Sequence, residues 1–457
     1  MDPSIFKAYD IRGIYPNELS EEDVYKIAKA FFTFVVEKIG RSKPPKIVLS
    51  YDGRLSSPSL TQQAKKALME SGAEVIDIGL SGTPTFYFSI SHYGYDAGIQ
   101  ISASHNPKEY NGVKLIIKTG STITKIGEGS GLKQIKEIVA KENFVSLLEK
   151  GTVVKNERVL EDQVNNTFKF TGEEKIKDLK VVVDAANATG ALYLEALFRR
   201  LPCQLIRMNF KIDGNFPAHQ PDPSDFGTLA ELRQKVVEEK ADLGIAPDGD
   251  SDRVFFVDEK GEVITASVTT SLIAIELLKK HPGEKIGFDV RSTLNASHAV
   301  KQAGGVPLVS RIGNPFASEI MKKENAIFFG ENSGHFIFKD NNYLEDPVAV
   351  VLILLSVITR EGRPISEILK PLSVSYQSEQ TNLRFSNLEK VTGLLQKKYG
   401  DGETNFIDGL SIDFPNWRFN IRASNTEAVV RLNVEALDKK LMEERRDEIV
   451  KLIRANS

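Results

Sequence analysis

One order of elements occurs three times in this chain, and it constrains the fold more than any other feature. An apolar strand ends at or near an acid: Ile47-Val48-Leu49 running to Asp52, Val181-Val182-Val183-Asp184, and Ile286-Gly287-Phe288-Asp289. A helical stretch follows each, then a second strand at Glu74–Asp77, Gln204–Arg207 and Val306–Val309. A third strand then runs into a polar loop. Ala97–Ile101 leads to Ser104-His105-Asn106-Pro107, Asp242–Ala246 leads to an acidic stretch, and Ala326–Phe329 leads to Gly330–His335. Strands that alternate with helices imply buried parallel sheets. In such sheets ligands sit beyond the carboxyl ends of the strands, where all three polar loops fall. The repeat therefore predicts three similar α/β domains whose loops face a shared site.

The acidic stretch carries Asp248, Asp250 and Asp252, with Arg253 next. Three carboxylates this close raise one another's pKa unless a cation lies between them. In an extended loop alternate side chains point the same way, so the spacing predicts convergence on one point. Oxygen-only ligands select a hard ion such as Mg²⁺, and Mg²⁺ sites usually serve phosphates. An EF-hand calcium loop is the competing reading, with Glu259 at its twelfth position. It needs Gly at the sixth, where this chain has Arg253, and Val254–Val257 reads as a strand. A solvated acidic turn is the other alternative, and three acids in register beside Gly and Arg disfavour it.

The tail differs in kind. A helical stretch near Leu388–Lys398, strands at Leu410–Asp413 and Val429–Val434, and a charged helix over Lys439–Arg454 suggest a separate α+β domain. Between its strands, Arg422-Ala423-Ser424-Asn425-Thr426-Glu427 is a dense set of donors, and Arg forks match phosphate oxygens. The expected domains are 1–150, 151–256, 257–368 and 369–457. The apolar run Pro347–Ile358 is too short to span a bilayer and reads as a buried helix. The Gly-rich stretch Gly127–Gly131 lacks the Gly-Lys-Ser/Thr ending of a phosphate loop and reads as a turn before a helix near Leu132.

A net charge of −3 gives no basic footprint for nucleic acid. The lone cysteine, Cys203, allows no internal disulfide and suits a reducing interior. Met1–Asp10 has no apolar signal core. A cytoplasmic protein with no membrane or nucleic-acid partner is expected.

Taken together in order, these motifs resemble the α-D-phosphohexomutase family, most closely its phosphomannomutase/phosphoglucomutase branch. The resemblance covers essentially the whole chain. Phe6–Gly13 matches the opening; Tyr51-Asp52-Gly53-Arg54 and Gly82-Thr83-Pro84-Thr85 match the first domain. It implies four domains, three α/β with mixed or parallel sheets and a C-terminal α+β, around a central cleft. It implies Ser104 as phosphoserine and metal ligand beside Asp248, Asp250 and Asp252. Lys114, His105 and Arg12 fall on or near its proton-transfer groups. Tyr9, Arg253, Arg311, Asn314, Glu331, Ser333 and His335 fall on substrate-contacting positions. Arg422, Ser424, Asn425, Thr426 and Arg431 fall in or beside its phosphate-binding loop.

The implied activity is interconversion of hexose 1-phosphate and hexose 6-phosphate, mannose or glucose. It would run through a hexose 1,6-bisphosphate, with Mg²⁺ as cofactor and glucose or mannose 1,6-bisphosphate as activator. A monomer or homodimer acting on small hexose phosphates is implied. Phosphoglucosamine mutase is the nearest alternative; a metal-dependent phosphatase and a sugar-phosphate sensor are the more distant ones. This chain departs from the family pattern at Ser251, where Gly is usual, and at Asn314, Asn332 and Ala428.

Overall fold

The computed structural model describes residues 1–40, 43–120, 122–173, 175–291, 293–384, 388–423 and 429–456. They form two compact units, Met1–Val263 with Asp340–Ile365, and Ile264–Lys339 with Ser366–Ser457.

The first unit holds two sheets. One contains β1 (Ile11–Ile14), β2 (Lys46–Tyr51), β3 (Glu74–Leu80), β4 (Ala97–Ile101), β5 (Tyr110–Thr119), β6 (Thr122–Lys125) and β7 (Thr152–Lys155). Its order is β1-β5-β4-β2-β3-β7, with β6 beside β5. β2 runs parallel to β3 and β4, while β5 is antiparallel to β4 and β1. Ile47 to Ser50 are buried in succession, as expected for a strand covered on both faces. The helix Glu21–Ile39 starts at a capping box in which Ser20 and Asp23 satisfy each other's backbone N–H. It lays Val24, Ile27, Phe31 and Val35 into the core with Leu49, Ile99 and Leu115. Each such side chain contributes about 1.5–3 kcal/mol by leaving water.

The other sheet contains β8 (Lys180–Asp184), β9 (Gln204–Met208), β10 (Leu243–Pro247), β11 (Val254–Val257) and the edge strand β12 (Val263–Ile264). The order is β12-β11-β10-β8-β9. Again the first strand of the repeat lies between the second and third in parallel, and a fourth returns antiparallel.

The expected buried helix is Pro347–Glu361, capped by Asp346, whose side chain accepts the Ala349 N–H. Val348 to Leu355 are at most 3 % exposed. It packs in the first unit beside the helix Val159–Thr171. Thr167 Oγ1 donates to Asp346 Oδ2 at 2.7 Å, and Lys177 N donates to Thr359 Oγ1 at 3.0 Å. Among the described residues no helix is long and apolar enough to cross a membrane.

The second unit repeats the pattern once more with β13 (Lys285–Asp289), β14 (Val306–Ser310), β15 (Phe328–Gly330) and β16 (Phe336–Phe338). β13 is parallel to both β14 and β15, and β16 is antiparallel. The three repeats thus form mixed sheets, because each parallel set ends in one reversed strand. The tail is antiparallel, with Val429–Ala436 between Trp417–Ala423 and the strands Tyr376–Gln377 and Thr381–Arg384. The helices Leu388–Tyr399 and Lys439–Arg454 add Val391, Leu395, Met442 and Ile449 to its core. Both helices stand where sequence periodicity put them. The strand Trp417–Ala423 did not figure in that reading. The Gly-rich turn ends at Gly131, φ +129°, directly before the helix Leu132–Lys141.

Candidate active site

The loop between β4 and β5 carries Ser104, a non-glycine residue at φ +51°. Its N–H donates to Ser102 Oγ at 3.0 Å, and its own hydroxyl donates to Asp248 Oδ2 at 2.8 Å. Ser104 Oγ also lies 3.1 Å from His105 Nδ1. The expectation that residues 104 and 248–252 meet in space holds at hydrogen-bonding distance.

Asp248, Asp250 and Asp252 are buried, and each offers a carboxylate oxygen within 4.8 Å of the others. They do not converge by alternation along an extended loop. β10 and β11 are antiparallel and pair Pro247 with Val254, so the segment between them has to reverse. Ser251 takes φ +64° to do so, and Ser251 N donates to Asp248 O at 3.1 Å. The Gly at position 249 is required by close approach: a Cβ there would lie 2.3 Å from Ser104 O.

Lys114 comes from β5 and is 7 % exposed. Its ammonium lies 2.5 Å from Asp250 Oδ2 and 2.8 Å from Asp252 Oδ2, and donates to Thr83 Oγ1 at 3.1 Å. It is therefore not an exposed strand-end lysine. Burial works against its charge, yet Asp250 and Asp252 hold its pKa well above the ordinary value. Burial, then Asp252 and Asp250, push the Asp248 carboxyl far up. Ser102 Oγ donates to Asp250 Oδ2 at 3.1 Å. Thr83 Oγ1 lies 2.6 Å from both Gln100 Oε1 and Asp250 Oδ2 and can donate to only one at a time.

The donor set fits a hard cation. Its atoms are all oxygens, and among the described residues Asp250 Oδ1 is buried with no hydrogen-bond partner. Arg253 N donates to Asp248 Oδ1 at 3.2 Å. Arg12 pairs with Asp10 at 2.7 Å and donates through Nη1 to Ala103 O and to Asn106 Oδ1, bracing the Ser104 loop. Tyr9 occupies the half-buried bend before β1. So Ser104, His105, Lys114, Arg12, Arg253 and the aspartates form one cluster.

The second unit gathers another. Glu331 follows β15 and is 1 % exposed. Its carboxylate accepts the Gly313 N–H at 2.9 Å and lies 3.0 Å from His335 Nδ1, which is also 3.0 Å from Ser333 Oγ. Burial opposes the Glu331 charge, but His335, Arg291 and the Gly313 N–H bring its pKa down to about 2. Asn314 opens the helix Asn314–Glu324, and Arg311 lies 3.2 Å over the Phe316 ring. Arg422, 5 % exposed, sits opposite Arg431 across two strands. Burial, and then Arg291, lower the Arg422 pKa. Among the described residues Arg422 Nε has no hydrogen-bond partner. Ser424, Asn425 and Thr426 lie outside the described residues.

Arg291 belongs to this cluster and was missed in the sequence. It pairs with Asp289 at 2.7 Å and reaches Ser333 Oγ at 3.4 Å. The signal was there: Asp289-Val290-Arg291 stands at the end of β13 as Asp52-Gly53-Arg54 stands after β2.

Comparison with known proteins matches nearly the whole chain. Residues 3–146, 159–261 and 266–376 match phosphoglucomutase/phosphomannomutase alpha/beta/alpha domains I, II and III, and 381–452 match the C-terminal domain. A phosphomannomutase of Vibrio cholerae is 35 % identical over 98 % of this chain and 98 % of its own. The crystal structure of a phosphoglucomutase/phosphomannomutase family protein from Burkholderia thailandensis superposes with TM-score 0.89 at 30 % identity, covering 100 % of this chain and 98 % of that one. The fold also occurs in an N-acetylphosphoglucosamine mutase of Aspergillus fumigatus, in a crystal structure with glucose 1,6-bisphosphate. Its TM-score is 0.61 at 13 % identity, over 99 % of this chain and 95 % of that one. The chain belongs to the phosphoglucomutase/phosphomannomutase family. It is a phosphohexose mutase with the four-domain architecture of that family.

Proposed function

We propose that the chain interconverts the 1- and 6-phosphates of mannose or glucose by way of a phosphorylated Ser104. The observation that carries this reading is the 2.8 Å contact between Ser104 Oγ and Asp248 within the aspartate trio. Phosphoryl transfer needs positioning and charge stabilisation more than covalent chemistry from the protein. Asp248, Asp250, Asp252 and an oxygen on Ser104 would hold Mg²⁺. When bound, the ion would neutralise charge on the transferring group.

In the first transfer the bond from phosphorus to Ser104 Oγ breaks and one to the sugar hydroxyl oxygen forms. His105 can take the hydroxyl proton, and the Lys114 ammonium can supply one to the departing Ser104 oxygen. The product is a hexose 1,6-bisphosphate. It turns over and gives its other phosphoryl group back to Ser104. Arg422, with Ser424, Asn425, Thr426 and Arg431, would grip the phosphate that is not reacting; that Arg422 Nε has no hydrogen-bond partner among the described residues supports this. Arg253 would meet the transferring group. Tyr9, Arg311 and Asn314 would line the substrate's path. Glu331, Ser333 and His335 would read sugar hydroxyls in either orientation. The name of the Vibrio cholerae relative favours mannose over an amino sugar. The lone, partly buried Cys203 suits a cytoplasmic setting.

Intact mass before and after glucose 1,6-bisphosphate tests the phosphoserine. The wild type should gain one phosphoryl group, and Ser104→Ala should gain none and lose turnover by on the order of 10³ or more. A Ser104→Ala protein with wild-type turnover sinks the reading. Mannose and glucose 1-phosphates should outpace glucosamine 1-phosphate in the same coupled assay.

A further inference from the structure

Arg54 is among the largest fully buried side chains of the molecule, with a side-chain exposure of 0 %. A guanidinium has five N–H groups, and here each has an acceptor. Nε meets Asp52 Oδ2 at 3.2 Å. Nη1 donates to Pro107 O at 2.7 Å and Tyr110 O at 3.0 Å. Nη2 donates to Ser104 O at 2.8 Å and Asn106 O at 2.6 Å. Four of the five acceptors are backbone carbonyls, three in the loop that carries Ser104 and one at Tyr110, the first residue of β5.

A second segment holds the same loop from another side. The ring of Phe216 lies 5.2 Å from the Arg54 guanidinium carbon. Phe216 is itself at φ +50°. Gln220 Nε2 donates to His105 O. Pro221 O accepts the Gly249 N–H of the aspartate loop at 3.1 Å. His219 anchors the segment, 3.0 Å from Asp184 Oδ2. So residues 216–221 touch the Arg54 clamp, the Ser104 loop and the aspartate loop.

Left-handed backbone at a non-glycine residue persists only where the surroundings over-determine it. Ser104 is in that state, and its carbonyl is fixed by Arg54. We propose that Arg54, strapped by Phe216 and Gln220, is a positioning residue that aims the Ser104 hydroxyl at the reacting centre. This rests on Ser104 being the phosphoryl carrier. Lysine could not replace it: one ammonium keeps the charge but cannot span four carbonyls and a carboxylate.

The test compares full-length wild type, Arg54→Lys, Gln220→Ala and Ser104→Ala, assayed with Mg²⁺, glucose 1,6-bisphosphate and mannose 1-phosphate. Thermal unfolding is followed in parallel. Misplacing a reacting group by an ångström costs about 100-fold. Arg54→Lys should lose kcat on that scale while KM moves by less than about threefold. Gln220→Ala, removing one strap contact, should lose kcat about tenfold with its melting temperature unchanged. A folded Arg54→Lys with undiminished kcat overturns the inference; if that variant does not fold, an undiminished kcat in Gln220→Ala does so. An active Ser104→Ala overturns the phosphoserine reading and this inference with it. An inactive Ser104→Ala beside undiminished Arg54→Lys overturns the inference alone.

Discussion

Asp52-Gly53-Arg54 and Asp289-Val290-Arg291 are the same device at the same point of two repeats, and they serve opposite ends. In the first unit Arg54 directs four of its donors to backbone carbonyls and the fifth to Asp52. In the second, Arg291 pairs with Asp289 and shares its neighbourhood with Arg422 and Arg431. The lesson is electrostatic. An arginine at the end of a buried strand becomes scaffold where carbonyls converge on it. On the proposed function it joins an anion receptor where other arginines lie near it. On the proposed function the first cluster serves a cation and a transfer, the second an anion and a grip.

That contrast breaks first at Lys114. Without metal, Lys114→Met leaves Asp250 and Asp252 facing each other in a buried site, and folding should weaken by about 3–5 kcal/mol. Mg²⁺ should restore most of the loss. Denaturant unfolding with a chelator and with Mg²⁺ measures both; equal stability of variant and wild type in chelator would refute Lys114 as the counter-charge. Next comes the grip. Arg422→Ala should raise KM roughly 10- to 100-fold and leave kcat within a few-fold, since the contact exists in ground and transition states alike. A fall in kcat with constant KM would move Arg422 into the transfer step.

The smallest effect is in pH, and its sign differs between the units. Glu331 is brought from its ordinary 4.5 down to about 2, so the stability it contributes is full above pH 4.5 and is lost as pH falls toward 2. Burial raises Asp346 from 3.8 to about 6, so its contribution falls as pH rises through that interval. Hydrogen exchange read separately in each unit should show the two slopes. Glu331→Gln and Asp346→Asn should each flatten one, and a slope that survives its variant would contradict the assignment.

Much of this was legible beforehand. Apolar runs ending at acids pointed to three sheets, because burial on both faces leaves little room for polar residues. The partners of the three aspartates were partly legible, since Lys114 and Ser104 fell on family positions. Other parts were not. The turn at 248–253 follows from the antiparallel pairing of β10 and β11, which alternation of side chains cannot reveal. Arg54 stood in a quoted motif without a role, because its acceptors are carbonyls and carry no sequence signature. Trp417–Ala423 alternates Arg418, Asn420 and Arg422 with apolar residues, as a half-exposed strand would. All six residues from Trp417 to Arg422 are buried, because Arg418 reaches Val290 O at 2.7 Å and Asn420 reaches Asp408 O at 2.8 Å.

The helix Pro347–Glu361 is encoded after β16 yet packs in the first unit. A ribosome must therefore finish residue 365 before that unit has all its parts. Any fragment cut at residue 263 would strip the helix Val159–Thr171 of the cover that Pro347–Glu361 gives it. Truncations meant to isolate the Ser104 half should aggregate unless the later segment is supplied in trans.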